Sequence, residues 1–416
     1  MSPTPAPPGP IVVVGASAAG LATAEGLRLN GFDGPLTLIG GERHPPYDRP
    51  PLSKLLLQDS WQPDRLELRS PAALRALELD LRLGRWASGL DTGRRELLLD
   101  TGERLRYRAL VIATGSTPRL IPGARAAATG THTLRTVDDA LALRETLRGG
   151  ARRLVIVGSG FIGNEVAAAA AESGVEVTLL GRSGLPLADV LGDEIGSLLA
   201  ESHRGHGVRL HTGAPARRVL TENGRTSGVE LQDGSKLPAD AVLIAVGAVP
   251  AVGWLAGSGI PTGDGVHCDA TLRAGPDVWA AGDVAGWTHP RTGLRTRIGH
   301  RTNAAEQGLA VARNILAPPG AAEPFDPVPY VWSDLYDLRV QIHGRTRDAE
   351  QIRIVEGGTG DRRLVALCRA NGRVSGVIGI NLPRPTRNHR ALVVRRTPWD
   401  EALAGSAAPA ARATTV

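Results

Sequence analysis

Two strand–turn–helix segments with glycine-rich turns constrain this chain more than anything else in it. The first reads Ile11-Val12-Val13-Val14-Gly15-Ala16-Ser17-Ala18-Ala19-Gly20, and the second Leu154-Val155-Ile156-Val157-Gly158-Ser159-Gly160-Phe161-Ile162-Gly163. In each, a short apolar strand meets a turn of small residues and then an Ala-rich helix. A turn without bulky side chains lets the backbone approach a pyrophosphate. The helix behind it directs unpaired N–H groups and a partial positive charge at the anion. The second copy is a complete G-x-G-x-x-G. The first carries Ser17 at the middle position, small enough for the same approach and bringing a hydroxyl donor. One copy alone could equally be an ordinary glycine-rich turn; two in one chain point to two bound dinucleotides.

The chain has 416 residues, room for two or three domains. Its 42% hydrophobic and 22% charged residues are globular values. No apolar run reaches membrane-span length, and the Pro-rich start lacks a signal pattern, so a cytoplasmic protein without a membrane role is expected. Cys268 and Cys368 form no C-x-x-C, so there is no local candidate for a redox disulfide; two buried free thiols are expected instead. Of 48 basic residues only Lys54 and Lys236 are lysines, which singles out Lys54, because arginine supplies charge everywhere else. The net charge of +6 favours acidic partners. No nucleic-acid recognition module appears, and the arginines are spread along the chain. His203 and His206 stand three apart without a third ligand; they are read as solvated histidines, and no metal site is expected.

Along the chain, Leu36–Ile39 reads as a second strand, and Glu42 after it is placed to take ribose hydroxyls. A proline-stiffened loop, Pro45-Pro46-Tyr47-Asp48-Arg49-Pro50-Pro51-Leu52-Ser53-Lys54, follows. Buried strands end at Thr114-Gly115 and Gly247, and Val278–Ala280 runs into Ala281-Gly282-Asp283, an acid suited to a polyol chain. Beyond Pro318 and Pro319 the pattern turns β-rich. Its clearest element is Arg363–Ala370, Asn371-Gly372, Arg373–Ile380, a hairpin signal, closed by a polar helix after Arg387.

These motifs together resemble the FAD-dependent ferredoxin reductases of bacterial cytochrome P450 and dioxygenase electron-transfer systems, two-dinucleotide-domain flavoproteins related to glutathione reductase. The likeness spans residues 10–400. It rests on both glycine turns, Tyr47–Lys54, Ala113-Thr114-Gly115, Ala281-Gly282-Asp283, Asn303-Ala304 with Gln307-Gly308, and Trp332-Ser333-Asp334. It implies an α/β fold with two Rossmann-like domains and a smaller α+β C-terminal domain. The FAD-binding domain would take 11–118 and 248–320, and the NAD(P)H-binding domain 119–247. A β-rich domain would follow at 321–403, with loose ends at 1–10 and 404–416. The resemblance further implies that Gly15, Ser17, Gly20 and Arg49 hold the FAD pyrophosphate, Glu42 the adenosine ribose, and Asp283 the ribityl chain. Thr114, Gly115 and Gly282 join them as cofactor-binding positions. Lys54 would sit beside the flavin N5 and pair with Glu165, the two forming the catalytic pair. Trp332 would lie near the isoalloxazine, and Gly158, Gly160 and Gly163 would hold the nicotinamide nucleotide. Electrons would leave singly to an acidic iron–sulfur ferredoxin.

The chain also departs from that family pattern. No carboxylate follows Val177-Thr178-Leu179-Leu180; Gly181-Arg182-Ser183 stands there instead. A guanidinium and a hydroxyl suit a 2′-phosphate, so NADPH is expected over NADH, with Arg182 as its contact. Gly299 and Arg301 replace a common Glu and Trp in a segment near the flavin and the nicotinamide entrance, and Arg301 is expected among the cofactor-binding residues. Asn164, Leu335 and Asp337 are also unusual for the family. A cluster of changes at the mouth would fit an alternative, a flavin-dependent dehydrogenase or oxidase acting on a small metabolite.

Overall fold

The structure, a computed structural model, describes residues 9–124, 129–347 and 349–406, of Ser406 only the backbone. Most of the expected loose ends, all but residues 9–10 and 404–406, lie outside the described residues. The chain divides into two compact units. One holds the residues up to Pro50, Gln62–Thr117 and Ala248–Pro327; the other holds Pro51–Trp61, Pro118–Gly247 and the residues from Val328 on.

The first unit is built on a six-stranded sheet in the order Arg273–Gly275, Val278–Ala280, Ala109–Ile112, Ile11–Val14, Leu36–Gly40, Asp80–Leu83. All neighbours run parallel except the first pair. Ile11–Val14 and Ala109–Ile112 are buried at every position, as strands covered on both faces require; this is why they read as unbroken aliphatic runs. The parallel order sets four sequence motifs side by side at the carboxyl ends of adjacent strands, where open α/β sheets bind ligands. These are Gly15, Glu42, Thr114-Gly115 and Gly282-Asp283. Behind them the helices Ala18–Leu29 and Arg301–Leu316 pack tightly: a Cβ on Gly308 would stand 2.4 Å from the Ala19 carbonyl oxygen.

In the second unit a five-stranded parallel sheet runs Arg209–Thr212, Glu176–Gly181, Arg153–Val157, Ala241–Ile244, Thr131–His132. An antiparallel sheet is ordered Tyr330–Leu335, Leu338–Gly344, Arg373–Ile380, Arg363–Ala370, Gln351–Gly358. The antiparallel sheet shares a core with the helices Phe161–Glu172, Ala188–Leu191 and Asp193–Gly205, where Ala168, Leu191, Ile195 and Leu198 pack with Leu335, Val340, Leu364 and Ile378. Asn371 and Gly372 both have positive φ, 51° and 68°, the backbone that a two-residue hairpin turn demands. The closing helix starts at Pro383, ahead of Arg387, because a proline is tolerated in a first helical turn, where its missing N–H has no partner to lose. A last helix, Trp399–Ser406, runs past Ala404.

Candidate functional site

The two glycine turns are built by the same steric rule. In the first unit a Cβ on Gly15 would lie 2.0 Å from the Ala113 carbonyl oxygen, and one on Gly20 would lie 1.8 Å from that of Gly15. In the second unit the corresponding distances are 2.3 Å from Gly158 to the Ala245 oxygen and 1.9 Å from Gly163 to the Gly158 oxygen. Gly15 and Gly158 also have φ of 125° and 116°. The outer glycines are therefore demanded by the fold itself. Gly160 is different, since a Cβ there would meet nothing within 4 Å; its smallness leaves space for something other than this protein. Ser17 takes the equivalent place in the first turn as N-cap residue of Ala18–Leu29, and its side chain makes no capping bond.

Around the first turn the polar residues form a connected set. Arg49 pairs with Glu42 at 2.7 Å, and the Tyr47 hydroxyl donates to the same carboxylate at 2.5 Å. Burial opposes the Arg49 charge, but Tyr47, Glu42 and Asp283 outweigh it and leave the guanidinium pKa above its ordinary value. Thr114 Oγ1 donates to the Ala251 carbonyl at 2.9 Å, and Gly115 has a φ of 70°. Gly282 N donates to Gln307 Oε1 at 2.7 Å, and Ser116 Oγ donates to Asp283 at 3.2 Å. Arg301 pairs with Asp48 at 2.5 Å, and Gly299 lies against Asp283, where a Cβ on the glycine would stand 3.6 Å from the carboxylate Cγ. Burial lowers the pKa of His300, with Asp283 acting the other way. His300 Nδ1, Asn303 Oδ1 and Gln307 Nε2 are buried without a hydrogen-bond partner. Such atoms cost about 1–3 kcal/mol each when left unmade, so this group of donors and acceptors suits a polar ligand such as FAD.

The second unit holds Lys54, because Pro51–Trp61 belongs to it although the flanking chain does not. Lys54 Nζ stands 2.8 Å from Glu165 Oε1. Ser53 Oγ donates to Glu165 Oε2 at 2.5 Å, and Ser333 Oγ donates to Oε1 at 2.6 Å. Asp334 lies 3.7 Å from the lysine. Trp332, on the same strand, stacks on Tyr330, with ring centroids 5.8 Å apart. At the end of Glu176–Gly181, a Cβ on Gly181 would meet Ser159 Oγ at 2.4 Å, and Arg182 is exposed. Ser53, Ser333 and Gln307 were missed as site residues by sequence reasoning, although each lies inside a motif it used.

Two sequence expectations need correction here. His203 is not solvated: it is 1% exposed and hydrogen-bonds Asn164 and Tyr336, while His206 stacks on the Tyr336 ring at 3.7 Å. Burial, and then His206, lower its pKa to about 4. Leu335 is not at the mouth of a site but 1% exposed in the core of the second unit. Cys268 and Cys368 are buried free thiols, each pushed up to about 12, chiefly by burial. Among the described residues no helix is long and apolar enough to cross a membrane.

Residues 9–308 match the pyridine nucleotide-disulphide oxidoreductase family, and residues 330–414 match the reductase C-terminal family. The chain is 31% identical to rhodocoxin reductase of Rhodococcus erythropolis, over 93% of this chain and 90% of that one. It is 34% identical to the ferredoxin–NAD(+) reductase component of the p-cumate 2,3-dioxygenase system of Pseudomonas putida, over 94% of each. Among solved structures, that of the covalent putidaredoxin reductase–putidaredoxin complex matches with a TM-score of 0.88 and 29% identity, covering 96% of this chain and 99% of that one. As the sequence motifs implied, the chain belongs to the pyridine nucleotide-disulphide oxidoreductase family and is an NAD(P)H-dependent flavin oxidoreductase of the ferredoxin-reductase type.

Proposed function

We propose that this protein binds FAD in its first unit, takes hydride from NADPH in preference to NADH, and passes the electrons to an acidic iron–sulfur ferredoxin. The observation that carries the reading is the pair of glycine turns, one at the carboxyl edge of each parallel sheet and both built to the same steric rule. FAD, when bound, supplies the one property protein groups lack: it accepts two electrons together and releases them one at a time.

The protein's own residues divide the remaining work. Gly15, Ser17 and Gly20 would admit the FAD pyrophosphate to the helix N-terminus, with Arg49 as its counter-charge. Glu42 would accept from the ribose hydroxyls, its carboxylate steadied by Tyr47 and Arg49. Asp283, Gly282, Thr114 and Gly115 would line the polyol side. Lys54, fixed by Glu165, would supply a positive charge that favours the electron-rich state, and a preorganised charge of this kind costs nothing at the moment of reaction. Trp332 would bound the ring face. Gly158, Gly160 and Gly163 would take the phosphates of the nicotinamide nucleotide.

NADPH preference rests on the exposed Arg182 and the absence of a carboxylate after Leu180. Three relatives are named for NAD(+) and one for NAD(P)(+), so the NADPH reading is supported by this chain's own Gly181-Arg182-Ser183 and not by the relatives. An acidic partner suits the net charge of +6 and the exposed Arg384, Arg387 and Arg390 of the closing helix. Two free buried thiols suit a reducing, cytoplasmic setting. Leu335 in the core and Arg301 paired with Asp48 have partners within the fold, and lend no support to a small-metabolite substrate.

Anaerobic titration of the yellow protein with each nucleotide tests the reading. NADPH should bleach it quickly, and cytochrome c reduction should then depend on added ferredoxin. A higher kcat/KM with NADH would overturn the cofactor preference, and bleaching by neither nucleotide would overturn the function.

A further inference from the structure

Behind the second glycine turn runs a buried hydrogen-bond chain with no part in the chemistry above. Asn164 is 0% exposed in the first turn of Phe161–Glu172. Its Nδ2 donates to the carbonyl oxygens of Ser159 at 2.7 Å and Gly160 at 2.8 Å. Carbonyls only accept, which fixes the amide's orientation and leaves Oδ1 facing His203 Nε2 at 2.9 Å. Oδ1 in turn only accepts, so Nε2 carries the imidazole proton. Nδ1 is then the acceptor for the Tyr336 hydroxyl, also at 2.9 Å. The direction of every bond from Tyr336 to the turn is thereby determined.

The far end of the chain is held in place. Tyr336 has a φ of 54° at the tip of the hairpin joining Tyr330–Leu335 to Leu338–Gly344. A bulky residue keeps that conformation only where its surroundings impose it. His206 stacks on the Tyr336 ring at an interplanar angle of 10°. Next along the hairpin, Asp337 pairs with Arg362 at 2.6 Å, and Arg362 donates to Ser202 Oγ at 3.2 Å, beside His203.

A planar trans peptide points its C=O and N–H in opposite directions. Fixing the carbonyls of Ser159 and Gly160 toward Asn164 therefore aims the N–H groups of Gly160 and Phe161 away from it, as donors for an anion. We propose that Asn164, His203 and Tyr336 form a positioning relay that holds the Gly158–Gly163 turn in its phosphate-binding shape, so that a hairpin of the C-terminal sheet sets affinity for the nicotinamide nucleotide. The proposal rests on the reading of this turn as the nucleotide's cradle.

The test uses the flavin-loaded protein, with calorimetric binding of NADP+ and steady-state reduction of ferricyanide by NADPH. Asn164→Asp keeps the shape but sets an acceptor against two carbonyls; it should raise Kd and KM about 10- to 100-fold while kcat changes about twofold at most. His203→Gln keeps a donor at the Nε2 position and should stay within about 3-fold of the parent, whereas His203→Leu should lose about 10-fold. Should Asn164→Asp not load flavin, Tyr336→Phe decides: it keeps the ring stack, loses one donor, and should weaken binding about 3-fold. Unchanged Kd in His203→Leu and Tyr336→Phe overturns the relay. A parent protein that neither nucleotide bleaches overturns instead the reading beneath it.

Discussion

Lys54 and Glu165 form a buried ion pair, with side chains 14% and 7% exposed, in which both carboxylate oxygens also accept a serine hydroxyl. Attraction in such a place repays desolvation only while both charges are present. Glu165→Leu should therefore cost about 3–5 kcal/mol, because the ammonium keeps only the more distant Asp334 at 3.7 Å and two buried serine hydroxyls lose their acceptor. Lys54→Met/Glu165→Leu should recover the charge part of that loss. Urea unfolding monitored by fluorescence measures both. The double variant should nevertheless bleach slowly with NADPH, since its fixed positive charge is gone. Parental bleaching rates in that variant would remove Lys54 from the chemistry.

The glycines of the second turn should separate fold from ligand. Gly163→Ala puts a methyl 1.9 Å from the Gly158 oxygen, so the turn itself must shift. Gly160→Ala puts one where no protein atom lies within 4 Å. Gly160→Ala should keep the parental unfolding midpoint and flavin content yet bind NADP+ at least about 10-fold more weakly, because the backbone can no longer approach the phosphates. Gly163→Ala should lose both binding and stability. Equal NADP+ affinity in Gly160→Ala and the parent would show that the nucleotide does not bind over this turn.

Arg182 is exposed just past the strand Glu176–Gly181, the position proposed above to meet the 2′-phosphate. A charged hydrogen bond is worth about 1.5–3 kcal/mol. Arg182→Glu should therefore lower kcat/KM for NADPH by about 10- to 100-fold and leave NADH nearly unaffected or improved. An unchanged ratio between the two nucleotides would remove Arg182 from the site.

What could be read from the sequence follows from how local each signal is. The glycine turns, the all-buried strands and the Asn371-Gly372 hairpin are specified within a few residues, by steric access, burial on both faces and positive φ. The environment of His203 is not local. Its helix, Asp193–Gly205, presents a polar last turn that looks solvated, and the residues that bury it, Asn164 and Tyr336, come from elements distant in the chain. Leu335 was misplaced for a related reason. Beside the polar Ser333 and Asp334 it reads as part of a site; it does lie on the buried face of Ser333, but two residues along the strand that face has passed from Glu165 into the core with Leu198. Nor does the sequence show that Pro51–Trp61 leaves the unit of its flanking chain, which is what gives Lys54 its carboxylate partner.

His203 and His343 should make the second unit acid-sensitive. Burial lowers both to about 4, aided by His206 for the first and by Arg390 and Arg387 for the second. An ordinary histidine, as in the unfolded chain, titrates at about 6.5. Between these values the unfolded state binds the proton and the folded state does not, so each histidine's contribution is complete above about pH 6.5 and is lost as the pH falls toward about 4. Each can add a slope of up to about 1.4 kcal/mol per pH unit. Other groups titrate in the same window, so the useful quantity is the difference between the parent and His203→Gln, which keeps the donor to Asn164 but has nothing to protonate. In urea unfolding from pH 7 to pH 4.5, the variant should lose stability less steeply by close to one proton's worth. Parallel profiles would mean that His203 is protonated in the folded protein, and the bond directions from Tyr336 to the glycine turn would then have to be reassigned.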